Sequence, residues 1–153
     1  MMQKLTDRTL LRILHKDYPQ VVERISREFK ASMPENILTD FDKIPVIIEA
    51  FKVVKGLNDT SFNNDMGRRN SMENREIMLA VIAMFYHPQR LANLVMREKG
   101  GILEAVSKAI SIPKKNLSNS LANAIVRFKV YGKFRNEVIQ LYNMISKEYK
   151  LLE

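Results

Sequence analysis

Apolar residues along this chain recur every three or four positions, and no stretch alternates apolar and polar residues between turn signals, so the expected fold class is all-α, a helical bundle. Thr6 is placed to cap a first helix whose Leu10, Leu11 and Leu14 share a face, ending near Asp17 and Tyr18. A second helix opens at Pro19, with Val21, Val22, Ile25 and Phe29 as its stripe and Glu23, Arg24 and Arg27 on the wet side, and Pro34 marks its end. Asp40 or Asp42 can cap a third, which holds Pro45 in its first turn and Val46, Ile47, Ala50, Phe51 and Val54 on its apolar face; Gly56 stops it.

Residues 57–70 are rich in Asn, Asp, Ser, Gly and Arg and offer no stripe to bury, so they read as a polar loop. The expected organisation is an N-terminal helical lobe over 1–57 for partner contact or dimerisation, a polar loop over 58–71, and a helical domain over 72–153. Asn70 with Glu73 resembles a capping box opening an apolar helix over 72–86, and His87-Pro88 breaks it. A short helix over 88–96, the Gly100-Gly101 break, helices over 102–110 and 114–131, a stop at Gly132 and a last helix over 134–149 complete the pattern. That last helix carries a stripe of Phe134, Val138, Leu141, Tyr142, Ile145 and Tyr149, broad enough to pack on its own lobe or on a second copy.

Charge singles out one region. The formal net charge is +8. Residues 1–60 hold ten Lys/Arg against nine Asp/Glu, whereas residues 61–153 hold fifteen against eight, so the excess lies in the second half. No acid occurs between Glu104 and Glu137, while Lys108, Lys114, Lys115, Arg127, Lys129, Lys133 and Arg135 all fall there. A polyanion is the partner such a surface suits.

Within that window the helices over 102–110 and 114–131 are separated only by Ser111, Ile112 and Pro113. Val106, Ile110, Ile112, Leu117 and Leu121 are apolar where two steeply crossing helices and their turn must pack, and Ser107 is small where they approach. On the second helix Leu117, Leu121, Ala124, Ile125 and Phe128 form the inward stripe, leaving Lys114, Lys115, Asn116, Ser118, Asn119, Ala122 and Asn123 outward.

The stretch from Val106 to Leu121 resembles the reading unit of the helix-turn-helix DNA-binding superfamily, as found in bacterial and phage repressors and sigma-like factors; the likeness covers residues 102–128 alone. It implies a C-terminal helix-turn-helix unit that enters the major groove of duplex DNA. Base edges would then be met by Asn116, Ser118, Asn119 and Asn123, and phosphates by Lys108, Lys114, Lys115, Arg127, Lys129, Lys133 and Arg135. It also implies a transcriptional regulator of bacterial, phage or mobile-element origin, and a homodimer, since paired reading helices are the usual remedy for the modest affinity of one. The chain departs from the superfamily in carrying Ser111 where the turn usually has glycine, and Ser107 where a small residue, usually Ala, stands.

Other functions find less support. The chain has no Cys, which excludes disulfides and thiolate chemistry and suits a cytoplasmic setting. His15 and His87 have no partner at metal-ligand spacing, and no nucleophile with a base, paired carboxylates or phosphate-cradling glycine loop is evident, so neither enzyme activity, metal nor cofactor is expected. Met72, Met78, Met84 and Met96 read as core filler. Arg68 and Arg69 read as part of a solvated loop, with an arm reaching DNA as the alternative. The ten-residue apolar run over 77–86 is half the length a membrane span needs, and the N-terminus lacks a signal-peptide layout, so no membrane partner is expected. Two alternatives stay open: an inhibitor or adaptor docking on an acidic protein through the same basic face, and an oligomeric DNA-packaging or replication accessory.

Overall fold

A computed structural model describes residues 6–58, 61–62, 68–92 and 100–152. Among them the secondary structure is entirely helical: α1 (Asp7–Asp17), α2 (Pro19–Ser32), a 3-10 turn (Phe41–Lys43), α3 (Ile44–Lys55), α4 (Arg68–Tyr86), α5 (Pro88–Ala92), α6 (Ile102–Ile110), α7 (Lys114–Val130) and α8 (Gly132–Tyr149).

The helix ends follow the local chemistry. Thr6 caps α1 by accepting from the Thr9 amide at 3.2 Å. Asp40 accepts from the Asp42 amide at 2.9 Å, which caps the 3-10 turn that feeds into α3, and Gly56 closes α3 in the left-handed conformation at φ 67°. Gly101, at φ 94°, precedes α6 where a Cβ would stand 2.5 Å from the Phe41 ring, so both backbone and space demand glycine. Two boundaries differ from expectation. α4 starts at Arg68, so Asn70 lies inside its first turn instead of capping it, and Arg68 and Arg69 belong to a helix instead of a loop. Gly132 opens α8, and the break after α7 is the single extended residue Tyr131. The expected loop at 59–60 and 63–67, and the expected short helix beyond Ala92 with Met96, lie outside the described residues.

α4 is the axis of the molecule. Every residue from Ile77 to Tyr86 is buried, because α3, α5, α7 and α8 pack around it, and a helix enclosed on all sides can be apolar on all sides. Met78 and Met84 are among those core residues. The chain before α3 is strapped over the end of this helix: the Leu38 amide donates to the Phe85 carbonyl at 2.7 Å, and the Tyr86 hydroxyl to the Asp40 carbonyl at 2.6 Å.

Ile44, Ile47, Ile48 and Phe51 of α3 belong to the same hydrophobic cluster as α4, α6, α7 and α8. Buried residues on both sides of residues 58–71 thus belong to one cluster. α3 has two apolar faces' worth of Ile and Phe to bury, and α8, α6 and α4 supply the surfaces. Among the described residues the α1–α2 hairpin lies outside the main cluster: α1 packs on α7 and α2 on α5, and Leu11, though buried, is not part of that cluster. Among the described residues no helix is long and apolar enough to cross a membrane.

Candidate nucleic-acid interface

α6, the turn at Ser111-Ile112-Pro113 and α7 fall where the apolar spacing put them. Val106, Ile112, Leu117 and Leu121 are buried between the two helices and the body of the protein, and Ile110 is half-buried against it. Ser111 adopts the left-handed conformation, φ 56° and ψ 41°, at the position where the resembling family uses glycine. Its amide donates to the Ser107 carbonyl at 2.9 Å, and the Ser107 hydroxyl donates to the Ile112 carbonyl at 2.6 Å. A small hydroxyl at 107 therefore does more than leave room: it ties down the turn.

Pro113 occupies the N-cap position of α7, and its carbonyl accepts from the Asn116 and Leu117 amides at 3.0 and 3.2 Å. No side chain caps this end, so the N–H groups of the first turn point outward beside Lys114 and Lys115, an arrangement that attracts anions.

The predicted base-contact residues divide along α7. Asn116, Ser118 and Asn119 are exposed, whereas Asn123 is half-buried. Val126, on the side of α7 away from its inward stripe, is buried as well, and α1 is packed against α7. The outer face of α7 is thus open over its first turns and covered further along, a consequence of tertiary packing that the helix's own pattern did not reveal.

The predicted phosphate contacts divide too. Lys108, Lys114, Lys115 and Lys133 are exposed. Lys114 lies 3.4 Å from Glu104, but both side chains are more than half exposed, so solvent screens the pair and the lysine remains available. Seventeen residues of α7 span about 25 Å, which sets Lys133 at the opposite end of the helix from Lys115.

Arg127, Lys129 and Arg135 are engaged inside the protein. The Arg127 guanidinium pairs with buried Glu76 of α4 at 2.5 Å and lies over the Phe134 ring, 4.4 Å from its centroid. Arg135 donates to the Phe128 and Lys129 carbonyls at 3.0 and 3.4 Å, satisfying the last turn of α7. Burial, and then the neighbouring Arg90, push the Lys129 ammonium down to about 7. Glu76 is the partner that reading α7 alone missed; an acid directly before the fully apolar run 77–86 needs a cation, and that is the signal that could have found it.

Among the described residues no three His, Asp or Glu side chains are grouped to hold a metal ion. Neither a protein-family model, a curated protein nor a solved structure matches the chain.

Proposed function

We propose that this chain is a non-enzymatic DNA-binding protein acting as a transcriptional regulator, which presents the first turns of α7 to the major groove as a helix-turn-helix reading unit. The observation that carries the reading is the exposed cluster Lys114, Lys115, Asn116, Ser118 and Asn119 at an uncapped helix N-terminus, propped on α6 by a turn with positive φ at Ser111. Lys108, Lys114 and Lys115 meet phosphates, and Lys133 a more distant one; Asn116, Ser118 and Asn119 face base edges, with Asn123 at the covered margin. Arg127 and Arg135 serve first as internal supports of α7, and Lys129 of that helix is half-buried. Two copies would bind as a homodimer, each offering one such helix.

The experiment is a fluorescence anisotropy titration of the full chain against random and selected duplexes at increasing salt. The expected result is retention of duplex with a salt slope that falls by about 2 in Lys114→Ala/Lys115→Ala, since each phosphate contact contributes about 0.9. Asn119→Ala is expected to flatten the preference for the selected duplex. A chain that retains no duplex at about 50 mM salt overturns the reading and turns attention to an acidic protein partner for the same face.

A further inference from the structure

The chain between α2 and α3 borders a cleft of about 510 Å³, a volume that suits a small organic molecule. Glu35 and Asn36 of this strap form one side, and Tyr142 and Asn143 of α8 another. Met84, Ile139 and Leu152 supply its apolar surface.

Tyr142 is 7% exposed, and its ring is held against Phe85 with the centroids 4.6 Å apart. Its hydroxyl has no hydrogen-bond partner among the described residues, whereas buried Tyr86 donates to the Asp40 carbonyl. A buried polar group left unpaired costs about 1–3 kcal/mol, so the partner of Tyr142 has to come from the cleft that it lines. Glu35, Asn36 and Asn143 likewise make no side-chain hydrogen bond or ion pair among the described residues. Four polar side chains around one cavity are therefore open to a ligand.

The charge of the walls selects its chemistry. Glu35 is the one charged side chain among the lining residues, on a chain of net charge +8. Lys147 follows Asn143 by one turn of α8 but does not line the cleft. An anion would meet the Glu35 carboxylate with no cation in the wall to hold it. An ammonium group brings three donors and no acceptor, and the Glu35 carboxylate, the Tyr142 hydroxyl oxygen and an Asn carbonyl are all acceptors. Burial pushes the Tyr142 hydroxyl up, so it stays a neutral phenol at ordinary pH.

We infer that this cleft is a binding site for a small organic amine, with Glu35 holding the ammonium, Tyr142 and Asn143 completing its hydrogen bonds, and the apolar wall taking its hydrocarbon body. The site goes beyond duplex binding and shares no residue with the α6–α7 interface. It is measured without nucleic acid, so either reading can fail alone.

The probe is tryptamine, with indole-3-acetate as the same ring system carrying a carboxylate in place of the amine. Both are titrated to about 10 mM into the full chain at about pH 7, where the amine is an ammonium, and followed by amide proton–nitrogen correlation spectra. Tryptamine is expected to give saturable shifts in the 33–37 strap and around Asn143 with a dissociation constant of about 1 mM or below, and indole-3-acetate to bind at least about tenfold more weakly. Glu35→Gln, at an exposed position, is expected to weaken tryptamine about five- to tenfold. Tyr142→Phe keeps the ring on Phe85 and is expected to weaken tryptamine several-fold without lowering the urea midpoint, because the hydroxyl it removes has no partner in the free protein. Absence of saturable shifts leaves the cleft to water and overturns the inference. So do indole-3-acetate binding as tightly as tryptamine, shifts confined to other parts of the chain, or undiminished affinity in Glu35→Gln or Tyr142→Phe.

Discussion

The Ser107 hydroxyl donates to the Ile112 carbonyl at 2.6 Å, joining the last turn of α6 to the residue that plugs the corner before α7. Ile112 is buried while its neighbours Ser111 and Pro113 are exposed, so this bond helps hold the one point at which the corner enters the core. It adds to the Ser111 amide bond to the Ser107 carbonyl, so two hydrogen bonds at Ser107 and the packing of Ile112 set the direction in which α7 leaves the body.

Ser107→Ala is therefore expected to cost about 1 kcal/mol of unfolding free energy in urea denaturation, the usual net worth of such a bond. Ser111→Gly is expected to act in the opposite sense. It relieves a non-glycine residue at φ 56°, worth about 1–2 kcal/mol, against the greater freedom of glycine in the unfolded chain, leaving a net gain of about 0.5–1 kcal/mol. A loss of stability in Ser111→Gly contradicts the assignment of strain there.

Arg127→Met leaves the Glu76 carboxylate buried without its cation and is expected to destabilise the fold by about 2–3 kcal/mol, toward the lower side for broken buried pairs because Arg127 is partly exposed. Glu76→Leu/Arg127→Met removes both charges and is expected to recover most of that loss. Equal instability in the single and double variants is the outcome that counts against this account, and urea midpoints at constant slope provide the readout.

The Lys129 ammonium is lowered from 10.5 to about 7, chiefly by burial and then by Arg90. Between those values the unfolded chain binds a proton that the folded chain does not, so stability from this group rises with pH across the window; below about 7 both states are protonated and the burial penalty is complete. Lys129→Met is expected to stabilise the protein by on the order of 2–3 kcal/mol near pH 6, with the gain shrinking steadily toward pH 10. A gain that does not vary with pH assigns the effect to packing alone.

Among the described residues α1 packs on α7 and α2 on α5, outside the main hydrophobic cluster, so the two helices are expected to open without the core. Leu11→Ala, which removes the buried anchor of α1, is expected to accelerate amide hydrogen exchange in α1 and α2 by tenfold or more while leaving α4 protected, since truncating a buried leucine costs about 2–3 kcal/mol locally. Exchange that quickens equally in α4 shows instead that the hairpin and core unfold together.

Much of this protein is legible in its order of residues, because periodicity and capping act over a few positions. Thr6, Asp40 and Gly56 mark helix ends by hydrogen bonds and dihedral freedom within a turn of themselves. The α6–turn–α7 stretch was legible for the same reason, with Val106, Ile112, Leu117 and Leu121 buried as their spacing requires. Gly132 misled: its lack of a side chain suggests a break, yet the extended Tyr131 makes the break and Gly132 begins α8.

What the chain determines by itself is its helical class, most of its helix ends and the place of its positive charge, since each depends on neighbours at short separation. Only tertiary structure decides which cations remain free. Glu76 is 51 residues from Arg127, α1 packs on α7 from far away in the sequence, and Arg90 confronts Lys129 from another helix. Burial and charge pairing are properties of the assembled surface, so a seven-cation window in the sequence becomes four exposed lysines, two arginines engaged inside the protein and one lysine whose charge burial disfavours.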